Sequence, residues 1–204
     1  MQLAGVLLYP WIEDSPHGRA LFTAFGLVVL GVAMRVVRRS PWATWLAFVL
    51  AVLVVVLSVI SAVAPHPALP AVIAVLEAVF YFYATGSLIA YMMQDWVATT
   101  DELFAAGATF TLLVWAFAYT YVACEAIFPG SFSAPIDPEG TRTWMELLFL
   151  SVAVLSGVGL SDILPVTPFA RSLVMMEAFS GVMYIALVVS RLVALTVVAK
   201  TERM

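Results

Sequence analysis

Long apolar runs dominate the chain, and they constrain its fold more than any other feature. Of the 204 residues, 64% are apolar and only 11% are charged. Such a chain has too little polar surface to cover a globule in water, so it needs lipid as its solvent. The formal net charge of −4 also offers no basic patch for a polyanion. Soluble globular, disordered and nucleic-acid-binding proteins are therefore excluded, and a lipid bilayer is the expected surrounding.

Five of the apolar runs are long enough to cross a membrane as helices. A spanning helix needs about 20 mostly apolar residues. The five runs cover approximately residues 20–37, 41–64, 68–93, 101–128 and 168–200. We therefore predict an all-α, multi-pass membrane protein with five transmembrane helices.

A sixth apolar run, Trp144–Leu155, has only 12 residues. It is too short to cross the membrane and is typical of a re-entrant helix. Thr143 and Glu146 form a capping-box pattern that marks the start of this helix, and Gly157 and Gly159 end it. Because bare backbone is tolerated at membrane depth only where it lines a water-filled cavity, the segment predicts a pore.

The residues that follow the short helix have the chemistry of an ion filter. The C-terminal end of a helix carries a partial negative charge, which favours a cation nearby. The backbone of Gly157–Ser161 can present successive carbonyl oxygens to a dehydrated ion. Asp162 would add a ring of negative charge at the outer mouth. We call residues 156–162 the filter loop.

Basic residues set the expected orientation in the membrane. Arg35, Arg38 and Arg39 lie between the first and second apolar runs, and loops rich in Lys and Arg stay in the cytoplasm. Counting spans then places the N-terminus outside and the C-terminus in the cytoplasm, so the short helix enters from the outside.

The C-terminal half of the chain resembles the potassium-channel pore-domain superfamily. Residues 151–195 read SVAVLSGVGLSDILPVTPFARSLVMMEAFSGVMYIALVVSRLVAL. The resemblance is carried by a frame that consists of Val158, Gly159, Asp162, Pro165, Pro168 and Arg171. The chain is similar to small bacterial ion-channel proteins that place extra N-terminal helices before one pore unit. The resemblance implies three transmembrane helices in residues 1–98 and a pore domain with outer helix, pore helix, filter and inner helix in residues 99–204.

The resemblance also implies how the protein works. One chain has one pore unit, so four copies around an axis, a homotetramer, would form the pore. Such a tetramer is a cation channel that conducts passively and needs no cofactor, in a bacterial plasma (inner) membrane. The permeant ion would be a monovalent cation, with K⁺ as the leading candidate and Na⁺ as the alternative. The resemblance assigns the filter to Ser156, Gly157, Val158, Gly159, Leu160, Ser161 and Asp162, and it makes Gly181 a candidate gating hinge of the inner helix.

The filter loop departs from the family pattern Thr-Val-Gly-Tyr-Gly-Asp, which corresponds here to residues 157–162. Gly157 removes a hydroxyl ligand from the innermost ion site. Leu160 cannot donate the hydrogen bond of the family's Tyr. Ser161 stands where the family has a left-handed Gly, and a left-handed Ser would cost about 1–2 kcal/mol. A weakly selective or sodium-permeable channel therefore stays open as an alternative, as does a non-conducting membrane sensor or assembly protein.

Two acidic residues within the predicted spans are functional candidates, since such residues are costly in lipid. Glu177, on the predicted inner helix, either faces the cavity and attracts cations or forms hydrogen bonds behind the filter, and we favour the supporting role. Glu77, in the third span, is either a proton-linked site or a partner in an interhelical hydrogen bond, and we favour the hydrogen bond.

Enzymatic functions find little support in the sequence. A single cysteine, Cys124, excludes a Cys-cluster metal site. Intramembrane aspartyl proteases need Gly-x-Gly-Asp, but Leu160 and Ser161 separate Gly159 from Asp162. A transporter would show repeated halves with broken helices, whereas only one segment here is broken. We therefore predict that the protein is not an enzyme.

Overall fold

The protein is largely helical in a computed structural model, which describes residues 43–93 and 100–201. Its elements are the helices α1 (Ala43–Val63), α2 (Leu69–Met92), α3 (Thr100–Ile127), α4 (Trp144–Leu155) and α5 (Pro168–Thr201) and the strands β1 (Phe132–Ser133) and β2 (Leu164–Pro165). α1, α2, α3 and α5 are long and apolar enough to cross a membrane. They match four of the five predicted spans to within about two residues, and the first predicted span, 20–37, lies outside the described residues. The chain is thus an all-α membrane protein.

Local sequence signals explain where the helices begin. Pro70 lies in the first turn of α2, where the missing amide hydrogen has no cost. Thr143 is the N-cap of α4, and its hydroxyl accepts a hydrogen bond from the amide of Glu146 at 3.3 Å. The Glu146 carboxylate in turn accepts the amide of Thr143 at 2.6 Å. The predicted capping box and the predicted bounds of the short helix are therefore confirmed.

The core lies where α2, α3 and α4 meet, with α3 at its centre. In the spanning part of α3, 67% of the residues are buried, against 11% for α5. The rings of Tyr81 and Tyr119 stack with centroids 5.5 Å apart, and Trp115 meets Trp144 edge-on at 5.0 Å. These aromatic contacts fix the N-terminal end of α4 against α2 and α3, because edge and stacked ring pairs add to the free energy of burial.

A two-stranded antiparallel ladder closes the side of the molecule where α3 ends. Phe132 pairs with Pro165 and Ser133 pairs with Leu164. The carboxylate of Glu125 accepts the amides of Gly130 at 2.9 Å and Phe132 at 3.2 Å. This ladder is absent from the sequence-based prediction, since two-residue strands carry no periodic signal. It joins the loop after α3 to the chain that leaves the filter loop.

Candidate functional site

The filter loop is flanked on both sides by a fully buried residue. Leu155, at the end of α4, and Ile163, just after the loop, are each only 1% exposed. Between them Val158 and Leu160 are 70% and 74% exposed. The ends of the loop are therefore fixed in the core of one chain, while its apolar side chains extend away from that chain.

Two glycines give the loop its backbone shape. Gly157 has φ +74° and Gly159 has φ +68°, a left-handed conformation that is costly for any residue with a Cβ atom. A Cβ atom on either glycine would meet nothing within 4 Å, so both positions need glycine for its torsion freedom and not for space. Gly157 thus has a conformational reason to stand where the resembled family has Thr.

Ser161 does not adopt the left-handed conformation of the Gly that the family has at this position. No described residue other than glycine has a positive φ, so Ser161 does not pay the predicted cost in strain. Its hydroxyl accepts the amide of Ile163 at 3.1 Å, and this local bond shapes the exit of the loop. The left-handed positions thus lie at residues 157 and 159, two residues earlier than the glycines of the family pattern.

The filter loop folds back onto the end of α4. The amide of Gly159 donates to the carbonyl of Ala153 at 2.8 Å, and the amide of Gly157 donates to the carbonyl of Val154 at 3.0 Å. Within the loop, the amide of Ser161 donates to the carbonyl of Gly159 at 3.1 Å. Two carbonyls in the last turn of α4, those of Ala153 and Val154, are thereby paired, which weakens the partial negative charge at the helix end.

Three helices meet at the carboxyl group of Glu177, which is fully buried with 0% exposure. Its Oε2 accepts a hydrogen bond from the Tyr121 hydroxyl of α3. Its Oε1 is hydrogen-bonded to the Ser151 hydroxyl of α4. The Ser151 hydroxyl also lies 2.8 Å from the carbonyl oxygen of Val114 in α3. We call Val114, Tyr121, Ser151 and Glu177 the support cluster.

α5 packs closely against α4 at Gly181. A Cβ atom built on Gly181 would overlap the backbone carbonyl of Leu155. The absence of a side chain therefore lets α5 pack directly against the last residue of α4. This contact fixes the point from which the filter loop starts.

The structure brings some predicted residues together and separates others. Residues 156–162 form one exposed loop, with Asp162 exposed at its exit. Gly181 lies against Leu155, where this loop begins. The side chain of Glu177 is fully buried and does not reach the surface of the chain. Glu77 forms no hydrogen bond with any described residue, so the favoured interhelical bond is not found there.

Sequence reasoning missed the partners of Glu177. Tyr121 and Ser151 are polar residues in apolar helices, and buried polar groups in lipid seek one another. That signal identifies candidates but not pairs, because helix packing decides which of them meet. For metals, residues 43–93 and 100–201 contain no group of three His, Cys, Asp or Glu side chains that could hold an ion.

Comparison with known proteins gives one family and no individual relative. A family model described as an ion channel matches residues 107–197. These residues cover most of α3, the β1–β2 ladder, α4, the filter loop and most of α5. No curated protein and no solved structure matches the chain.

Proposed function

We propose that the chain is one subunit of a homotetrameric cation channel, and the match of residues 107–197 to an ion-channel family model supports this. A single observation carries the proposal: residues 157–160 form an exposed, irregular loop that begins at the end of a short, largely buried helix. Peptide groups at membrane depth must find water, ions or protein partners. Four loops around a common axis would surround a water-filled path.

The backbone of residues 156–161 is the proposed ion-binding surface. Backbone carbonyl oxygens replace the water molecules that a monovalent cation loses on entry. Conduction is passive and needs no cofactor. Asp162, exposed at the loop exit, would raise the local cation concentration at the mouth.

Exposed apolar side chains beside the loop support the assembly of several chains. On α5, Met175, Phe179 and Val182 are 64–65% exposed, although the opposite side of the same helix packs on α4. Contiguous apolar surface of this kind marks an interface with protein or lipid. A tetramer would use part of it to close the ring and would leave the rest to lipid and the pore cavity.

K⁺ is the leading candidate for the permeant ion, and Na⁺ is the alternative. The loop differs from the family pattern in sequence and in the position of its left-handed glycines. Because selectivity depends on the number and spacing of carbonyl ligands, this shift favours a weaker preference for K⁺ over Na⁺ than the family pattern would give.

The second candidate function is a non-conducting membrane sensor or assembly protein. One observation favours it: loop amides from Gly157, Gly159 and Ser161 are engaged in hydrogen bonds to carbonyls of α4 and of the loop. A loop closed on itself in this way offers fewer carbonyls to an ion. Flux measurements separate the two functions.

The proposal also covers the division of the chain into two parts and its orientation in the membrane. We assign residues 99–204 to the pore and residues 1–98 to helices that surround it. The protein would lie in a bacterial plasma (inner) membrane with its N-terminus outside and its C-terminus in the cytoplasm, as the arginines near residue 37 favour.

The deciding experiment measures the reversal potential of the purified protein in a planar bilayer with K⁺ on one side and Na⁺ on the other. A reversal near the K⁺ equilibrium potential indicates a K⁺-selective pore, and a reversal near zero indicates a weakly selective one. An intact tetramer that carries no current in any preparation contradicts the channel function and favours the sensor.

A labelling experiment tests whether the filter loop lines the path. Val158→Cys, in a Cys124→Ser background, places a thiol on the exposed loop, and a cationic thiol reagent should then abolish the current. The matched control is Val59→Cys in α1, a position that is 59% exposed and distant in sequence from the pore domain. Equal block of both variants, or of neither, would contradict a path through the loop.

A further inference from the structure

The support cluster contains more hydrogen-bonded oxygen pairs than its hydroxyl groups have hydrogens. The pairs are Tyr121 hydroxyl with Glu177 Oε2, Ser151 hydroxyl with Glu177 Oε1, and Ser151 hydroxyl with the Val114 carbonyl. Three two-centre hydrogen bonds need three hydrogens, whereas the hydroxyls of Tyr121 and Ser151 supply one each. The third hydrogen has only one possible source among these groups, the carboxyl of Glu177.

The charge around Glu177 leads to the same assignment. Among the described residues no Lys, Arg or His side chain forms an ion pair with Glu177, and the ion pair of Arg142 with Glu146, at 3.3 Å, lies at the start of α4. The partners that surround the Glu177 carboxyl are neutral hydroxyl groups. A buried carboxylate without a cation loses its hydration with no compensating charge, whereas a neutral carboxylic acid that is fully hydrogen-bonded has a much smaller desolvation cost. Since the side chain is 0% exposed within one chain, a neighbouring subunit cannot reach it to supply the missing charge.

We propose that Glu177 is a neutral carboxylic acid that relays hydrogen bonds between the outer, pore and inner helices. Tyr121 donates to Oε2, Oε1–H donates to Ser151, and Ser151 donates to the Val114 carbonyl. All three hydrogens then have acceptors. The relay makes Glu177 a positioning residue, because it holds α4 between α3 and α5 and never touches an ion.

The relay lies close to the point where the filter loop begins, and this position indicates what it stabilises. Ser151 lies one helical turn before Leu155, and α5 contacts the backbone of Leu155 through Gly181. Glu177 and Gly181 are likewise one turn apart on α5. Together they fix the end of α4 in height and rotation, and hence the start of the filter loop. This consequence rests on the proposed channel function, but the protonation of Glu177 does not.

Infrared spectroscopy of the full-length protein in vesicles tests the assignment. The difference spectrum of wild type minus Glu177→Gln at neutral pH should contain the carbonyl stretch of a protonated carboxyl, which shifts in heavy water. The control is the same difference measured in a Glu77→Gln background, because Glu77 is the other glutamate in the middle of a described span. The band should persist there. A difference spectrum that contains only carboxylate stretches would overturn the proposal.

Substitutions give a second, independent readout. Glu177→Gln retains one acceptor and one donor in the same geometry, so the assembled protein should keep its thermal midpoint and its current. Glu177→Leu has a similar volume but removes both groups, and it should lower the midpoint and the current. A Gln variant that is damaged as much as the Leu variant would refute the relay. If wild type and variants carry no current while the infrared band is present, the relay stands and the channel function fails.

Discussion

The filter loop begins a few residues after Ser151, the member of the support cluster on α4, yet the loop and the cluster are built in opposite ways. In the cluster, the residues are 0–4% exposed, and their polar groups form hydrogen bonds with one another within one chain. These groups are the side chains of Glu177, Ser151 and Tyr121 and the backbone carbonyl of Val114. In the loop, Val158 and Leu160 extend outwards and find no such cover. The cluster is thus complete in a single subunit, whereas the loop is built for surroundings that a single subunit lacks. The difference fits the proposed tetramer, in which each subunit contains its own support cluster and the loops of several subunits meet.

The two regions also use glycine for different reasons. Gly157 and Gly159 in the loop have left-handed torsions and open space around them, whereas Gly181 beside the cluster is helical and has the Leu155 backbone against it. Adding a methyl group should therefore be costly by strain in one region and by steric overlap in the other. This contrast makes the comparison testable by matched substitutions.

The largest effect is expected for Gly181→Ala. Its new Cβ atom must displace the backbone of Leu155, and overpacking of this kind costs about 3 kcal/mol. We expect a lower thermal midpoint of the assembled protein, together with a loss of current. Gly86→Ala in α2 is the matched control, since a Cβ atom there would meet nothing within 4 Å. Equal midpoints for the two variants would show that α5 can move away from α4 at no cost.

Tyr121→Phe should have the next largest effect. It removes the hydrogen that Glu177 Oε2 accepts and leaves a buried carboxyl oxygen unpaired, at a cost of about 2 kcal/mol. The thermal midpoint measures the loss. Tyr83→Phe serves as the control because the Tyr83 hydroxyl has no hydrogen bond to a described residue. A stable Tyr121→Phe protein would argue that the cluster contributes packing alone.

Gly157→Ala should cost on the order of 1 kcal/mol, because its left-handed torsion is unfavourable for alanine and its surroundings leave room for the methyl group. Ser161→Gly should gain no stability, since Ser161 has no left-handed torsion to relieve. Circular dichroism melts of both variants compare the two positions. If Ser161→Gly stabilises the protein and Gly157→Ala does not destabilise it, the left-handed positions follow the family pattern instead.

Asp162→Asn should have the smallest effect on folding, because the side chain is exposed and accepts no hydrogen bond from a described residue. Loss of its charge should lower the inward current at low ionic strength and have less effect at high ionic strength, where charges are screened. Single-channel recordings at two salt concentrations measure this. A current that is equally reduced at both would place Asp162 in the ion path itself.

Much of the helical architecture could be predicted from the residues. Hydropathy predicted α1, α2, α3 and α5 to within about two residues, since lipid demands an apolar run of fixed length. The capping box at Thr143 and Glu146 predicted the start of α4, because that signal is local. The two-residue strands could not be predicted, since their pairing depends on tertiary hydrogen bonds. The Glu125 carboxylate holds the loop after α3 in place, and the amide of Val166 donates to a carbonyl of that loop.

The filter loop was predicted in position but not in shape. The family pattern placed a left-handed residue at 161, whereas the structure has left-handed residues at Gly157 and Gly159. The reason is the hydrogen bond from Gly159 to Ala153, which turns the loop back along α4 as soon as the helix ends. Such a bond depends on the geometry of the helix end and leaves no trace in residue types beyond the glycines themselves.

By itself, the sequence determined the solvent of this protein, the length of its helices and the residues at which the short helix α4 begins and ends, because these follow from local hydrophobicity and capping. Only the tertiary structure decided what the buried polar groups do. Ser151 and Tyr121 are 26 and 56 residues from Glu177 along the chain, and the three residues meet because three helices pack around one point. The direction of each hydrogen bond at that point, and the close approach that Gly181 allows, depend on distances that only packing sets.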